Sequence, residues 1–135
     1  MGREHRVPLS TQVMDLLEAL YPITGHAKYL FPSIRDPRRP MSENTVNAAL
    51  RRLGYDKTQM TGHGFRGIAS TVMHEMGFNH AHIELQLAHQ ERDQVSAAYN
   101  HATYLKERAK MMQSWGDYLE NCTTGNVMTF ARKAA

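Results

Sequence analysis

Only one cysteine, Cys122, stands among 135 residues. No intramolecular disulfide framework can therefore exist, and the count fits a reducing compartment. No stretch of about 18 apolar residues occurs, which argues against a helical membrane span. The opening Met1-Gly2-Arg3-Glu4-His5-Arg6 leads into no apolar run, so it does not read as a secretory signal. It also lacks the Ser or Thr that a myristoylation signal requires. These absences make a cytoplasmic location the expectation. Aromatics are only 8% of the chain, and neither an internal repeat nor a low-complexity segment is visible. What is present reads as globular, with 41% hydrophobic and 21% charged residues. A chain of this length can bury about two-thirds of its unfolded surface. Nine methionines suggest an adaptable core or interface.

The net charge is +3, but it is unevenly placed. Between Lys28 and Arg66 there are 8 basic and 3 acidic residues, and the remainder carries 8 basic and 10 acidic ones. A basic segment on a near-neutral body suits a polyanion-binding face. Arg38, Arg39, Arg51 and Arg52 are its candidate DNA-contacting residues. Solvated surface charge would look the same, and Arg51 and Arg52 also suit the negative end of a helix dipole.

Apolar spacing predicts a mainly helical chain with at most a short β segment near the N-terminus. His5 to Leu9 reads as extended, with Pro8 favouring an edge. Ser10 offers an N-cap, Val13, Leu16, Leu17 and Leu20 follow at helical spacing, and Pro22 is the expected stop. Residues 21–41 form a loop broken by five prolines and glycines. Ser42 offers a second N-cap before Val46, Ala49, Leu50 and Leu53, with Gly54 as the terminator. A third helix runs from Gly62 or His63 to Met76, stopped by Gly77, with Phe65, Ile68, Ala69, Val72, Met73 and Met76 as its stripe. A fourth covers about 80–88 and a short helical piece about 95–100. The last runs from about Tyr104 to Leu119, with Leu105, Arg108, Met112, Trp115 and Leu119 along one side. The pattern fades after Glu120. The division is therefore 1–120 as one unit and 121–135 as a tail that frays or docks elsewhere.

Chemistry gathers at the helix edges. His63 and Arg66 are three apart, so they share a flank beside the apolar stripe. His89 follows at the end of the fourth helix, and Tyr99 ten residues later in Ala97-Ala98-Tyr99-Asn100. An Arg and two His can surround a phosphate, the planar guanidinium binding two of its oxygens at once. A phenol can attack that phosphate when the leaving oxygen is protonated and the equatorial charge is held.

The order and spacing of Thr61-Gly62-His63-Gly64-Phe65-Arg66, Gln86-Leu87-Ala88-His89, Ala98-Tyr99-Asn100 and Met111-Met112-Gln113-Ser114-Trp115-Gly116-Asp117-Tyr118-Leu119 resemble the tyrosine recombinases. The likeness is to the phage and genomic-island integrases of the satellite-phage type. Arg38 to Arg52 and Val7-Pro8-Leu9-Ser10 resemble the same subgroup, so the likeness covers about residues 5 to 120. It implies the C-terminal part of the DNA breaking-rejoining catalytic fold. It also implies site-specific recombination through a transient 3′-phosphotyrosyl bond, with double-stranded attachment-site DNA and other integrase subunits, a tetramer on DNA, as partners. In that scheme Tyr99 is the nucleophile and Arg66 the second of two Arg clamps. His63 bonds the phosphate and shares in proton transfer, and His89 supports the transition state. No cofactor and no metal are implied. The family's first Arg and its hairpin Lys have no match here, so the chain alone is expected to be catalytically incomplete. Two other functions compete. One is a non-catalytic DNA-binding or assembly module. The other is a metal-dependent hydrolase built on His74, His80, His82 and His101, whose spacing fits no strong zinc pattern.

Overall fold

The computed structural model describes residues 5–88 and 103–125. Among them lie five helices: α1 Thr11–Thr24, α2 Thr45–Arg52, α3 Gly62–Glu75, α4 His80–Gln86 and α5 Leu105–Thr124. The chain divides into two compact units. One comprises Met1–Gln12 with Ala69–Ala135, and the other Val13–Ile68. The mainly helical reading holds, and no strand occurs among the described residues. The expected extended segment at His5 to Leu9 forms no ladder; the isolated bridge is instead between Pro32 and Pro40 in the proline-rich loop.

Two helix ends follow from glycine. Gly54 and Gly77 adopt φ of +96° and +80°. Beyond α2, the Tyr55 N–H bonds the Leu50 carbonyl at 3.1 Å and the Gly54 N–H the Arg51 carbonyl at 3.1 Å. Beyond α3, the Phe78 N–H bonds Met73 at 3.2 Å and the Gly77 N–H bonds His74 at 2.9 Å. These are the paired bonds of the Schellman motif, which needs a left-handed residue at that position.

Other boundaries differ from the sequence reading. Pro22 lies inside α1, which runs on to Thr24. A proline removes its own N–H, but the chain keeps its turn because the Gly25 N–H still reaches the Tyr21 carbonyl at 2.8 Å. Helix α2 starts at Thr45 after Asn44, not after Ser42. The Ser42 hydroxyl meets the Thr45 hydroxyl at 3.1 Å and so caps no backbone N–H there. Helix α5 reaches Thr124, past the expected end of order at Glu120. Polar side chains carry its last turn: Asn121 Nδ2 donates to the Asp117 carbonyl at 2.8 Å and Thr123 Oγ1 to the Glu120 carbonyl at 2.7 Å.

The first unit holds the core. Ala69, Met73, Ile83 and Met111 are buried, with Phe78, Leu87, Met112 and Trp115 packed against them. Met73 is therefore a core residue, as its spacing suggested, and Met111 joins it from α5. On α5 the buried positions are Arg108, Met111 and Gly116, so the inward face is turned from the expected line, and Leu119 is exposed. Met111 is fully buried. Met111→Ala should cost about 2–5 kcal/mol through lost contacts and the residual cavity. Urea unfolding measures this, and a change below about 1 kcal/mol would show the site to be looser than described.

A polar network fixes the start of α1 on α5. Gln12 Nε2 donates to Asp117 Oδ1 at 2.8 Å, Gln113 Nε2 to the same oxygen at 2.8 Å, and the Thr11 N–H to Gln113 Oε1 at 2.9 Å. The Gln12 and Gln113 donors hold the Asp117 carboxyl below its ordinary value. Gly116 permits this approach. A Cβ there would stand 2.5 Å from Gln12 Oε1 and 2.7 Å from Ser10 Oγ.

The second unit is thinly covered. Leu50 is its buried hydrophobic residue among those described, and α1 buries none. Phe65 and Ile68, expected on the inward stripe of α3, are about half exposed, while Ala69 and Met73 further along are buried. The stripe is real, but among the described residues its first half is only half covered.

Candidate functional site

His63 and Arg66 lie in the first turns of α3. Thr61 starts that helix: the Gly64 N–H bonds the Thr61 carbonyl at 2.9 Å and its Oγ1 at 3.1 Å. The side chain thus satisfies one of the donors that every helix N-terminus leaves open. The Gly62 N–H is taken by Asn47 Oδ1 of α2 at 2.8 Å. Gly64 fits because a Cβ would come within 3.2 Å of Met60 Sδ. His63 is exposed and Arg66 half-buried. An imidazole and a guanidinium on one flank of a positive helix end form a surface suited to a phosphate.

The four candidate DNA-contacting arginines prove unequal. Arg51 bonds the Tyr55 carbonyl and, at 2.8 Å, the Met60 carbonyl. It therefore shapes the α2–α3 loop, and its head is already committed. Arg38 Nε donates to Asp36 Oδ1 at 3.0 Å, and Arg39 Nε lies 3.7 Å from Asp36 Oδ2. Both remain highly exposed, so the pairing is screened and readily exchanged for another anion. Hydrogen bonds from the Arg38 side chain and backbone hold the Asp36 carboxyl below its ordinary value. Arg52 is exposed on the last turn of α2. Sequence reasoning missed Asn47, whose role depends on a contact across 15 residues. It also counted Arg51 among the candidate DNA contacts, with the helix dipole as its other reading, and neither pointed to the loop carbonyls that hold it.

His89 and Tyr99 lie outside the described residues, as does His101. Two other tyrosines that are rival nucleophiles by residue type, Tyr104 and Tyr118, are described. Tyr104 sits against the His82 ring, with centroids 4.6 Å apart. Tyr118 stacks on Trp115 at 5.6 Å. A hydrogen bond with Cys122 pushes the Tyr118 phenol above its ordinary value, the wrong direction for a nucleophile. His74 and His80 are joined by a 3.0 Å hydrogen bond, and the other His74 ring nitrogen donates to the Ser70 carbonyl at 2.7 Å. Among the described residues no group of three or more His, Cys, Asp or Glu side chains converges as a metal site.

The model of the phage integrase family matches residues 1–106. The chain belongs to the phage integrase family. Its relatives include the integrase of Enterobacteria phage P4, 51% identical over 123 residues, covering 89% of this chain and 28% of the relative. The prophage integrase IntA of Escherichia coli K12 is 41% identical over 128 residues, covering 95% and 31%. The integrase of Shigella phage Sf6 is 41% identical over 121 residues, covering 88% and 31%. This integrase chain thus spans about three-tenths of the length of the curated relatives it matches. No solved structure matches it. Among the described residues, no helix is long and apolar enough to cross a membrane.

Proposed function

We propose that this chain carries the nucleophile-bearing part of a site-specific recombinase that cuts and rejoins double-stranded DNA. Tyr99 attacks a backbone phosphorus and displaces the 5′-oxygen, leaving a 3′-phosphotyrosyl bond. Arg66 holds the phosphate oxygens as charge builds on them, and His63 and His89 supply hydrogen bonds and proton transfer. The phosphotyrosyl bond conserves the energy of the phosphodiester, so rejoining needs no nucleotide. The observation that carries this reading is the pair His63 and Arg66 on the first turns of α3, in a chain of the phage integrase family. Spacing to His89 and Tyr99 supports the remainder.

Subunits of the same kind on attachment-site DNA are the proposed partners. The chain alone is proposed to be incomplete, because the family's first Arg clamp and its hairpin Lys have no counterpart among these residues. A metal-dependent hydrolase is the weaker reading, since His74 is bonded to His80 and to the Ser70 carbonyl and His82 lies against the Tyr104 ring.

DNA binding supplies the first test. Affinity should fall steeply with salt, because each neutralised phosphate contributes about 0.9 to the logarithmic slope. Arg66→Ala should weaken phosphate recognition more than Arg52→Ala, measured by fluorescence anisotropy at two or more salt concentrations. Equal effects would return Arg66 to the ordinary surface charges, and salt-independent binding would remove the basic face as the contact. Covalent trapping of a nicked duplex tests the chemistry itself.

A further inference from the structure

Arg108 of α5 is only 2% exposed. Its guanidinium is shared among three segments of the first unit. Nε donates to Gln86 Oε1 at 2.9 Å, Nη1 to the Thr103 carbonyl at 3.1 Å and Nη2 to the Arg6 carbonyl at 2.6 Å. These three partners are neutral. Burial without a bonded carboxylate is costly for a guanidinium and lowers its pKa. The planar fork offers a geometric reason for its presence: it reaches three acceptors in fixed directions, which an ammonium does less well. Gln86 is itself buried, and its own carbonyl meets His5 Nε2 at 3.2 Å.

The positions of these partners matter. Gln86 is the last residue of α4, three before His89, and Thr103 stands four after Tyr99. Two non-glycine residues among those described have positive φ: Ala88 at 50° and Tyr104 at 44°. Tyr104 directly follows Thr103, and Ala88 lies two residues past Gln86. A left-handed conformation is unfavourable for an ordinary residue and persists only where its surroundings enforce it. The Tyr104 carbonyl also accepts from the Arg108 N–H at 2.8 Å.

We propose that Arg108 is a positioning residue that fixes both flanks of the stretch 89–102 by bonding Gln86, Thr103 and Arg6 through one guanidinium. Its bearing on catalysis rests on the reading of His89 and Tyr99 given above. The head is enclosed and occupied, so Arg108 is not a phosphate clamp.

Native-state amide exchange on the 135-residue chain tests this. In Arg108→Met, the amides of Leu87, Ala88 and Arg108 should exchange about 10–100-fold faster, the loss expected when buried acceptors lose a charged donor. The amides of Met76 and Phe78, bonded to Val72 and Met73 at the end of α3 and without a bond to the guanidinium's partners, should change much less. Arg108→Lys should lie between wild type and Arg108→Met. If Arg108→Met does not fold, Arg108→Lys and Gln86→Leu carry the comparison. Unchanged flank exchange, or equal acceleration at all five amides, would overturn the proposal. DNA affinity should be the same in Arg108→Lys and wild type; a loss like that of Arg66→Ala would make Arg108 a phosphate contact and overturn it too. Failure of Tyr99 to trap DNA would defeat the functional reading while leaving these exchange rates as expected. The two failures are therefore distinguishable.

Discussion

Replacing Tyr99 with Phe should lower covalent capture of a nicked duplex by at least about 10⁴-fold, the scale seen when a covalent nucleophile is deleted. The substitution removes one oxygen and leaves the ring, so packing changes little. The experiment needs the remaining catalytic groups. They can be supplied by placing this chain in the phage P4 integrase in place of the 28% that it matches at 51% identity. A nick just beyond the scissile phosphate lets the short 5′-hydroxyl strand diffuse away, so the phosphotyrosyl bond accumulates. Non-covalent affinity should be nearly equal in the two forms, because the phenol contributes to bond making and not to the charge that holds DNA. A parallel loss of affinity would instead indicate that Tyr99 is a packing residue.

The second large effect concerns the chain by itself. Alone, it should trap the same substrate at least about 10⁴-fold more slowly than it does within the chimera. Two groups account for this. A general acid for the 5′-oxygen is worth about 10²–10⁴-fold. A charge clamp on the equatorial oxygens is worth about another 10²–10³-fold. The two lower figures multiply to about 10⁴-fold, the expectation if the groups act independently. Efficient trapping by the isolated 135 residues would mean that other residues of this chain supply both functions. Arg108 is not a candidate for the missing clamp, since its guanidinium is buried and bonded to Gln86, Thr103 and Arg6.

Several features of the fold were legible in the sequence because their causes are local. Gly54 and Gly77 terminate helices through a backbone conformation that glycine adopts freely, and both ends lie where the spacing put them. The Asn79 cap of α4, which accepts from the Ala81 N–H at 2.9 Å, is as local but was not read from the sequence. Pro22 and Ser42 misled for a related reason. Each has a strong local preference, but the cost of one missing donor, or the gain of one cap, is small beside the neighbouring turns.

Long-range features were not legible. Arg108 occupies an apolar line on α5, and a charge in such a line was the visible hint of a buried role. Its three acceptors, however, come from segments 5, 22 and 102 residues away. Phe65 and Ile68 show the converse. Their periodicity marks them for burial, yet periodicity does not say whether a partner surface is there to cover them. The candidate site divides in the same way. His63 and Arg66 are set by one helix, so their shared flank was readable from a three-residue spacing. The joining of α3 to α2 through Asn47 and of the loop through Arg51 was not.

The most direct measurement is proteolysis and mass spectrometry of the trapped adduct from the chimera. The account requires the nucleotide remnant on the peptide that contains Tyr99. A remnant on Tyr104 or Tyr118, or no adduct under conditions where the phage P4 integrase itself is trapped, would contradict it.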